Sequence, residues 1–184
     1  MANRAEEIMD VAYRLLVEKG YHNFSYADIA DEIGIRKASI HYHFATKDEL
    51  VLRVVQRYRR GIHGQIAQLQ AGDLSARAQF QVYLDFWQQA LGVNTSDVCL
   101  CMHLGSEVPT LSAPIQAEVQ GHFAELTAWV RDLLQASQVD ARALDAEADA
   151  MVAAVHGAML SARTFRDVSY FSAISQQVLA RLAA

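Results

Sequence analysis

The sequence predicts an all-α fold, and three features of the chain support that prediction. Apolar residues recur at intervals of three and four through most of the 184 residues, which is the periodicity of amphipathic helices. Only two prolines occur, Pro109 and Pro114, and the stretches between turn signals are long. An apolar content of 52% is ample for a core, so a folded chain is predicted rather than a disordered one.

The first two helices are predicted from their end signals. One spans about residues 3–19 and stops at Gly20, because glycine readily adopts the left-handed conformation that ends a helix. The next begins after Ser25, a preferred N-cap residue, and Asp28 three positions later completes a capping box. This helix ends at Gly34, which leaves only two or three residues for a turn.

A third helix, over residues 36–43, follows that turn directly. Two short helices joined by a glycine-containing turn are typical of a helix-turn-helix, whose second helix enters the DNA major groove. Ile40 and Phe44 point to one side of this helix, and the opposite side is short, polar and partly cationic. Such side chains suit the reading of base edges. The predicted base-contacting residues are Lys37, Ala38, Ser39, His41 and Tyr42.

The fourth helix is predicted to start with a second cap. Thr46 is its N-cap, with Glu49 as the partner of a capping box. A helix N-terminus carries partial positive charge and favours a phosphate there, next to the Lys47 ammonium. The predicted phosphate contacts are Ser25, Tyr26, His43 and Lys47.

The remainder of the chain predicts five more helices. They are a helix after Asp73 with an apolar stripe from Phe80 to Leu91, and helices over residues 98–105, 114–136, 140–163 (capped by Asp140) and 168–182, with connections over 92–96 and 108–112. Small residues along 140–163 allow another helix to approach closely. The last two helices therefore pair either within one chain or as a four-helix bundle between two chains.

Charge is distributed unevenly along the chain. The net charge is −5, yet residues 1–60 hold 10 Lys and Arg against 9 Asp and Glu, whereas 61–184 hold 6 against 12. All three lysines lie in the first part, and a local basic excess is what phosphate binding needs. The arginines between Arg57 and Arg60 fit a DNA contact or a solvated helix face equally well.

The run GIRKASIHYHFATKDELV, after SYADIADEIG, resembles the DNA-binding domain of the TetR family of transcriptional repressors. The residues that match the family pattern are Gly34, Ile35, His43, Phe44, Thr46, Lys47 and Leu50. His41 departs from it, since the family usually has tyrosine there. The resemblance implies a homodimer that binds a palindromic double-stranded operator and releases it on binding a small effector. It divides the chain into a helix-turn-helix domain, 1–48, and an effector-binding and dimerisation domain, 49–184.

An effector pocket is expected among the middle helices, because such pockets are mostly apolar with a few polar groups. His103 and His156 stand out, since an imidazole on an apolar stripe needs a hydrogen-bond partner. Each aromatic candidate is also typical of a plain core. The candidates are Tyr83, Trp87, Cys99, Met102, His103, Phe123, Trp129, His156 and Met159.

The two cysteines support one alternative. Cys99, Cys101 and His103, with His122 further along the chain, suggest a metal site. Cys99 and His103 would share a face of a regular helix, but Cys101 would point away, so these three cannot converge on one metal ion unless the helix unwinds. A thiolate at Cys99 activated by His103 would make the protein an all-α thiol-based sensor or enzyme without a DNA role. No phosphate-binding glycine loop, zinc-protease motif or nucleophile elbow occurs. No cofactor or metal is therefore predicted.

Membrane partners are not expected either. No apolar run approaches the length of a bilayer span, and the first ten residues lack the apolar core of a signal peptide. Two cysteines are too few for a disulfide framework. These observations together predict a cytoplasmic protein.

Overall fold

The regular structure is entirely helical in the computed structural model, which describes residues 4–94, 97–137 and 140–182. This confirms the predicted all-α fold. None of the described helices is both long and apolar enough to cross a bilayer. The helices are α1 Arg4–Lys19, α2 Tyr26–Ile33, α3 Lys37–His43, α4 Lys47–Ala71, α5 Ala76–Val93, α6 Leu100–Gly105, α7 Ala113–Ala136, α8 Leu144–Phe165 and α9 Ser169–Leu179, with a 3-10 turn Val108–Thr110.

The chain forms two compact units that interleave along the sequence. The first unit comprises the described part of Met1–Arg60 together with Leu100–His122. The second comprises Gly61–Cys99 and the described part of Phe123–Ala184. Helices α4 and α7 each contribute residues to both units. The division at residues 48 and 49 stays a prediction.

Each unit has its own apolar core, as its helical stripes require. In the first unit α1 packs against α2, α3 and α6. Its fully buried side chains include Ile8, Leu16, Ile29, Ile40 and Leu50. In the second unit α8 and α9 pack closely and α5 contacts both. Its fully buried side chains include Phe80, Leu91, Leu126 and Phe171.

Two predicted helix starts are wrong. Helix α6 begins at Leu100 rather than at residue 98, so Cys99 precedes the helix. Asp140 does not cap α8, which begins at Leu144. The Asp140 carboxylate instead accepts a hydrogen bond from the Arg142 amide at 3.0 Å, which makes a local turn before the helix. The predicted first helix residue, 3, and the end of the predicted connection, 95–96, lie outside the described residues.

Candidate nucleic-acid interface

The start of α2 is held by the predicted capping box. The Ser25 amide and hydroxyl donate to Asp28 Oδ2 at 2.7 and 2.8 Å, and the Ala27 amide donates to Ser25 Oγ at 3.2 Å. The Ser25 hydroxyl, and then its amide, keep the pKa of Asp28 below its ordinary value. Phe24 and Ile29, which flank the cap, are both buried. These contacts fix the direction in which the chain enters α2.

The turn between α2 and α3 depends on Gly34. This residue ends α2 with φ of 67°, in the left-handed region, and its amide donates to the Ala30 carbonyl. Ile40 of α3 is completely buried, and Phe44 directly after the helix is 5% exposed. Helix α3 is therefore anchored along one side by apolar contacts, and its opposite side is left outside.

That outer face of α3 carries the residues predicted to contact bases. Lys37, Ala38, Ser39 and His41 are exposed, and the Tyr42 side chain is 86% exposed. Ala38, Ser39 and Tyr42 line an open groove together with Arg4, Ile35, Arg36 and His43. Exposure of a small polar helix edge is what major-groove reading requires. The DNA contacts themselves remain predictions.

Tyr26 of α2 contacts both His41 of α3 and the residue that follows α3. The Tyr26 side chain is buried, and its hydroxyl donates to the Phe44 carbonyl at 3.0 Å. Burial, and then the charge of Glu49, raise the pKa of Tyr26 to about 12, so the phenol keeps its proton. The His41 ring packs edge-on against Tyr26 with centroids 4.8 Å apart. The hydroxyl predicted to hold a phosphate is thus already engaged within the protein.

Lys47 is likewise engaged within the first unit. Its ammonium donates to the Tyr21 carbonyl and, at 2.5 Å, to the Phe24 carbonyl. It also lies 4.2 Å from the centre of the Phe24 ring and 4.7 Å from that of Tyr21. Burial lowers the pKa of Lys47, opposed by the charge of Glu107. The cation therefore joins the loop before α2 to the start of α4.

The second cap also forms, with one difference from the prediction. The Glu49 amide donates to Thr46 Oγ1 at 3.1 Å, as expected for an N-cap. The Glu49 carboxylate accepts from the Ala45 amide at 3.0 Å, one residue earlier than in a standard capping box. The amides of Lys47 and Asp48 lead α4 and are placed where an anion is favoured.

The arginines of α4 divide into two groups. Arg57 donates to Glu6 at 2.6 Å and to Asp10 at 2.7 Å, and Arg59 donates to Glu118 at 2.8 Å. These two contribute to contacts inside the first unit. Arg53 and Arg60 are exposed to solvent. The basic excess available to DNA is thus smaller than the residue count suggests.

The second unit contains an aromatic cluster that includes three of the predicted effector-pocket residues, Tyr83, Trp87 and Trp129. Tyr83 lies 5.4 Å from Trp129 and 6.4 Å from Trp87, measured between ring centres, and Phe80 lies 5.8 Å from Trp129. All four side chains are buried. Burial raises the pKa of Tyr83, and the neighbouring Cys99 adds to that effect. The phenol is therefore neutral.

Four more of the predicted pocket residues lie in the same unit. His156 Nδ1 is 2.8 Å from the Val152 carbonyl, and the ring packs edge-on against Phe123 at 5.0 Å. Burial lowers the pKa of His156. Its Nε2 has no hydrogen-bond partner among the described residues. The Cys99 sulfur lies within 4.8 Å of a His156 ring nitrogen, and Met159 is buried in α8.

Met102 and His103 do not join this set, because they belong to the first unit. Cys99 directly precedes α6 rather than lying within it, and its pairing with His103, on which the thiol alternative rested, stays a prediction. Both cysteine side chains are fully buried.

A cavity of about 310 Å³ lies between the end of α4 and α5. Tyr83 was the only predicted residue in its wall. Val82 and Phe86 are apolar residues of its wall and are 45% and 42% exposed. Two apolar residues four positions apart beside a buried stripe were the sequence signal for it. The lining consists of Ile62, Gln65, Ile66, Gln68, Leu69, Val82, Tyr83 and Phe86.

Known proteins resemble both parts of the chain. Residues 8–54 match the family model "Bacterial regulatory proteins, tetR family", and residues 76–177 match "Transcriptional regulator LmrA/YxaF-like, C-terminal domain". A crystal structure of a TetR family transcriptional regulator from Agrobacterium tumefaciens is 37% identical, with a TM-score of 0.91 and 98% of each chain covered. A TetR transcriptional regulator from Legionella pneumophila is 26% identical, with a TM-score of 0.92 and coverage of 100% and 99%.

Among curated proteins, the HTH-type transcriptional repressor KstR2 of Rhodococcus jostii is 26% identical over 99 residues. That alignment covers 54% of this chain and 48% of the repressor. The chain spans about half or less of the length of the first curated relatives that it matches.

Proposed function

The chain belongs to the TetR family of bacterial regulatory proteins, and from that premise we propose that it is a repressor that binds a palindromic operator as a homodimer and leaves it when a small molecule binds. Members of this family are DNA-binding transcription regulators and not enzymes. The observation that carries the proposal is the exposed outer face of α3, held in place by the fully buried Ile40. Such a protein would act in the cytoplasm, where bacterial DNA lies.

The proposed DNA contacts follow from exposure. Lys37, Ser39 and Tyr42 would meet base edges or the adjacent backbone, and Ala38 would contact a thymine methyl group. The outer contacts also include His41. Ser25 and His43 would approach phosphates, together with the leading amides of α4. Tyr26 and Lys47 would act on DNA binding indirectly, because their polar atoms hold the loop and helix starts.

A homodimer is supported by the surfaces of α8 and α9. Leu160 and Phe165 are 56% and 59% exposed, and Phe165 stacks on the half-exposed Tyr170 at 4.5 Å. Added side-chain atoms at Gly157 would meet open space, so a second helix could approach closely there. A palindromic site is read by a two-fold symmetric protein. The exposed α8 positions on this face are Ala146, Ala150, Ala153, Gly157, Leu160 and Thr164.

An effector site is supported by the interior of the second unit. The cavity beside Tyr83 is mostly apolar, and the buried Nε2 of His156 and Nε1 of Trp129 lack protein partners among the described residues. A ligand with an apolar body and a few polar atoms fits such surroundings. Because α4 runs from the first unit into the second, its tilt is the proposed route by which the ligand separates the two α3 helices.

Selection of duplexes from a random DNA library tests the operator proposal. We expect enrichment of a palindrome whose half-sites lie about 34–36 Å apart. Ala38→Glu should weaken binding to the selected duplex by at least roughly tenfold, since it puts a carboxylate against the groove. Ala124→Glu introduces the same charge at an exposed position of α7 and should bind normally. No enrichment, or equal loss in both variants, would contradict the proposal.

A further inference from the structure

The segment Leu100–His122 belongs to the same compact unit as the helix-turn-helix, although residues 61–99, which belong to the other unit, lie between them along the chain. Two contacts at opposite ends of this segment involve charged side chains of Glu107, Arg59 and Glu118. Each of these contacts is made at a glycine, where any side chain would occupy the same space. The two contacts have no role in the proposed DNA interface itself.

The first contact is made by Glu107, just before the 3-10 turn. Its Oε1 accepts a hydrogen bond from the Tyr21 amide at 3.0 Å. A Cβ atom at Gly20 would lie 3.2 Å from the Glu107 Cδ and still closer to Oε1. Beside it, His22 Nε2 lies 2.8 Å from Thr110 Oγ1. The turn between α1 and α2 is therefore docked on this segment by a carboxylate that only glycine at position 20 admits.

Tyr21, whose amide donates to Glu107, also forms hydrogen bonds with the first residues of α4. Its carbonyl accepts from the Lys47 ammonium, and its hydroxyl donates to Asp48 Oδ1. Burial, and then the bond to Asp48, raise the pKa of Tyr21 to about 12, so the phenol stays a donor. The position of Glu107 thus bears on the loop that leads into α2 and on the first turn of α4, the two elements that flank α3.

The second contact is made by Arg59 of α4. Its guanidinium donates to Glu118 at 2.8 Å, and Gln56 donates to the other Glu118 oxygen at 3.1 Å. A Cβ atom at Gly121 would lie 2.6 Å from the Arg59 Cζ. Because Gly121 is helical, an alanine there would displace the flexible guanidinium and leave the backbone of α7 intact.

We infer that Glu107 and Arg59 are positioning residues for DNA binding, which hold the helix-turn-helix against the segment Leu100–His122 through contacts seated on Gly20 and Gly121. The inference rests on the proposed function. Neither Glu107 nor Arg59 is a proposed DNA contact. Both ends of the segment continue directly into the second unit, so the contacts lie where a change in that unit would reach the helix-turn-helix.

The test compares three variants of the full-length protein with the unaltered protein. Glu107→Ala removes the acceptor of the Tyr21 amide, Glu107→Gln keeps an oxygen in its place, and Gly121→Ala displaces Arg59. Glu125→Ala is the control, since it removes a carboxylate that lies 3.2 Å from His63 in the second unit. Hydrogen exchange at the Tyr21 amide reports on the contact without DNA, and fluorescence anisotropy with the selected duplex reports on binding.

We expect Glu107→Ala to speed exchange of the Tyr21 amide by roughly tenfold and to weaken DNA binding by roughly five- to tenfold. Glu107→Gln should change binding less than about threefold. Gly121→Ala should weaken binding by roughly threefold or more while its unfolding temperature stays the same or rises, because alanine favours the helix. A residue with a purely stabilising role would not give that combination.

Wild-type DNA affinity of Glu107→Ala or of Gly121→Ala overturns the role assigned to the corresponding residue, and a loss in Glu125→Ala of the same size overturns both. In each of these cases the proposed function stands, because the unaltered protein still binds DNA. Failure of the unaltered protein to bind any duplex overturns the proposed function and this inference together.

Discussion

Polar side chains of the two compact units that matter for the proposed function differ in whether they have hydrogen-bond partners within the protein. In the first unit the hydroxyl of Tyr26 and the ammonium of Lys47 both donate to backbone carbonyls. In the second unit His156 Nε2, Trp129 Nε1 and the hydroxyl of Ser175 are buried without partners among the described residues. A buried polar atom without a partner destabilises the fold, so such atoms are typical of places that bind something else. Under the proposed function, the three named atoms of the second unit are candidates to pair with an effector, whereas Tyr26 and Lys47 hold the helix-turn-helix in its shape.

Among the substitutions that test this difference between the units, replacement of Lys47 by methionine should change the free energy of unfolding most. The substitution keeps an apolar stem but leaves the Tyr21 and Phe24 carbonyls without their charged donor, at an expected cost of about 2 kcal/mol in the free energy of unfolding. Urea denaturation measures that loss. The salt dependence of DNA binding should keep its slope, since the ammonium is engaged within the protein. Normal stability with a slope reduced by about one would instead place Lys47 on a phosphate.

Acid should destabilise the second unit through His156. Burial lowers the pKa of this residue below its ordinary value of 6.5, which it regains on unfolding. Between the two values the unfolded chain binds the additional proton, so stability is full above pH 6.5 and declines as the pH falls through that window. The slope can reach about 1.4 kcal/mol per pH unit. In His156→Gln the free energy of unfolding should depend less on pH over this range. An unchanged pH dependence would show that His156 is accessible to protons when folded.

Removal of the Ser25 hydroxyl should cost about 1 kcal/mol, as the loss of an N-cap usually does. Ser25→Ala leaves the Ala27 amide without its acceptor and takes one donor from Asp28. The change should appear in thermal unfolding, with a smaller decrease in DNA affinity. An unaffected melting temperature would mean that α2 does not need its cap.

The same chemical change at Ser175 should have the smallest effect and the opposite sign. The Ser175 hydroxyl is buried within α9 and has no partner among the described residues. Ser175→Ala removes an unpaired polar group and favours the helix, so stability should rise by about 0.5 kcal/mol. Measured beside Ser25→Ala, it gives a direct contrast between the units. A loss equal to that of Ser25→Ala would show that the second unit pairs its polar atoms as the first does.

Local signals predicted the first unit well. The cap at Ser25, the stop at Gly34 and the apolar anchor Ile40 all lie within a short run, and the structure has each of them as expected. The same reasoning was wrong at Asp140, whose carboxylate accepts a hydrogen bond from the Arg142 amide in a turn before α8. It was also wrong at residue 98, which precedes the first residue of α6. A residue type that is favoured at helix N-caps does not always cap a helix, because its side chain can accept a hydrogen bond from a turn amide equally well.

Only some of the predicted effector-pocket residues lie near one another in the structure. Their proximity depends on how helices that are distant in sequence pack together. Cys99 and His156 come close together, whereas Met102 and His103 lie in the other unit. The part of the cavity wall formed by Val82 and Phe86 was not predicted, because a partly exposed apolar residue is common on any helix surface.

Helix ends, apolar periodicity and the uneven charge are properties of neighbouring residues, and from these the sequence alone determined the all-α fold and the outward edge of α3. Tertiary structure alone decided which charged groups are available. The Tyr21 amide meets Glu107 across 86 residues, and Lys47 reaches back 26 residues to the Tyr21 carbonyl. Whether a polar atom faces solvent, a carbonyl or a ligand is set by the partner that packing brings to it, and no short stretch of sequence contains that partner.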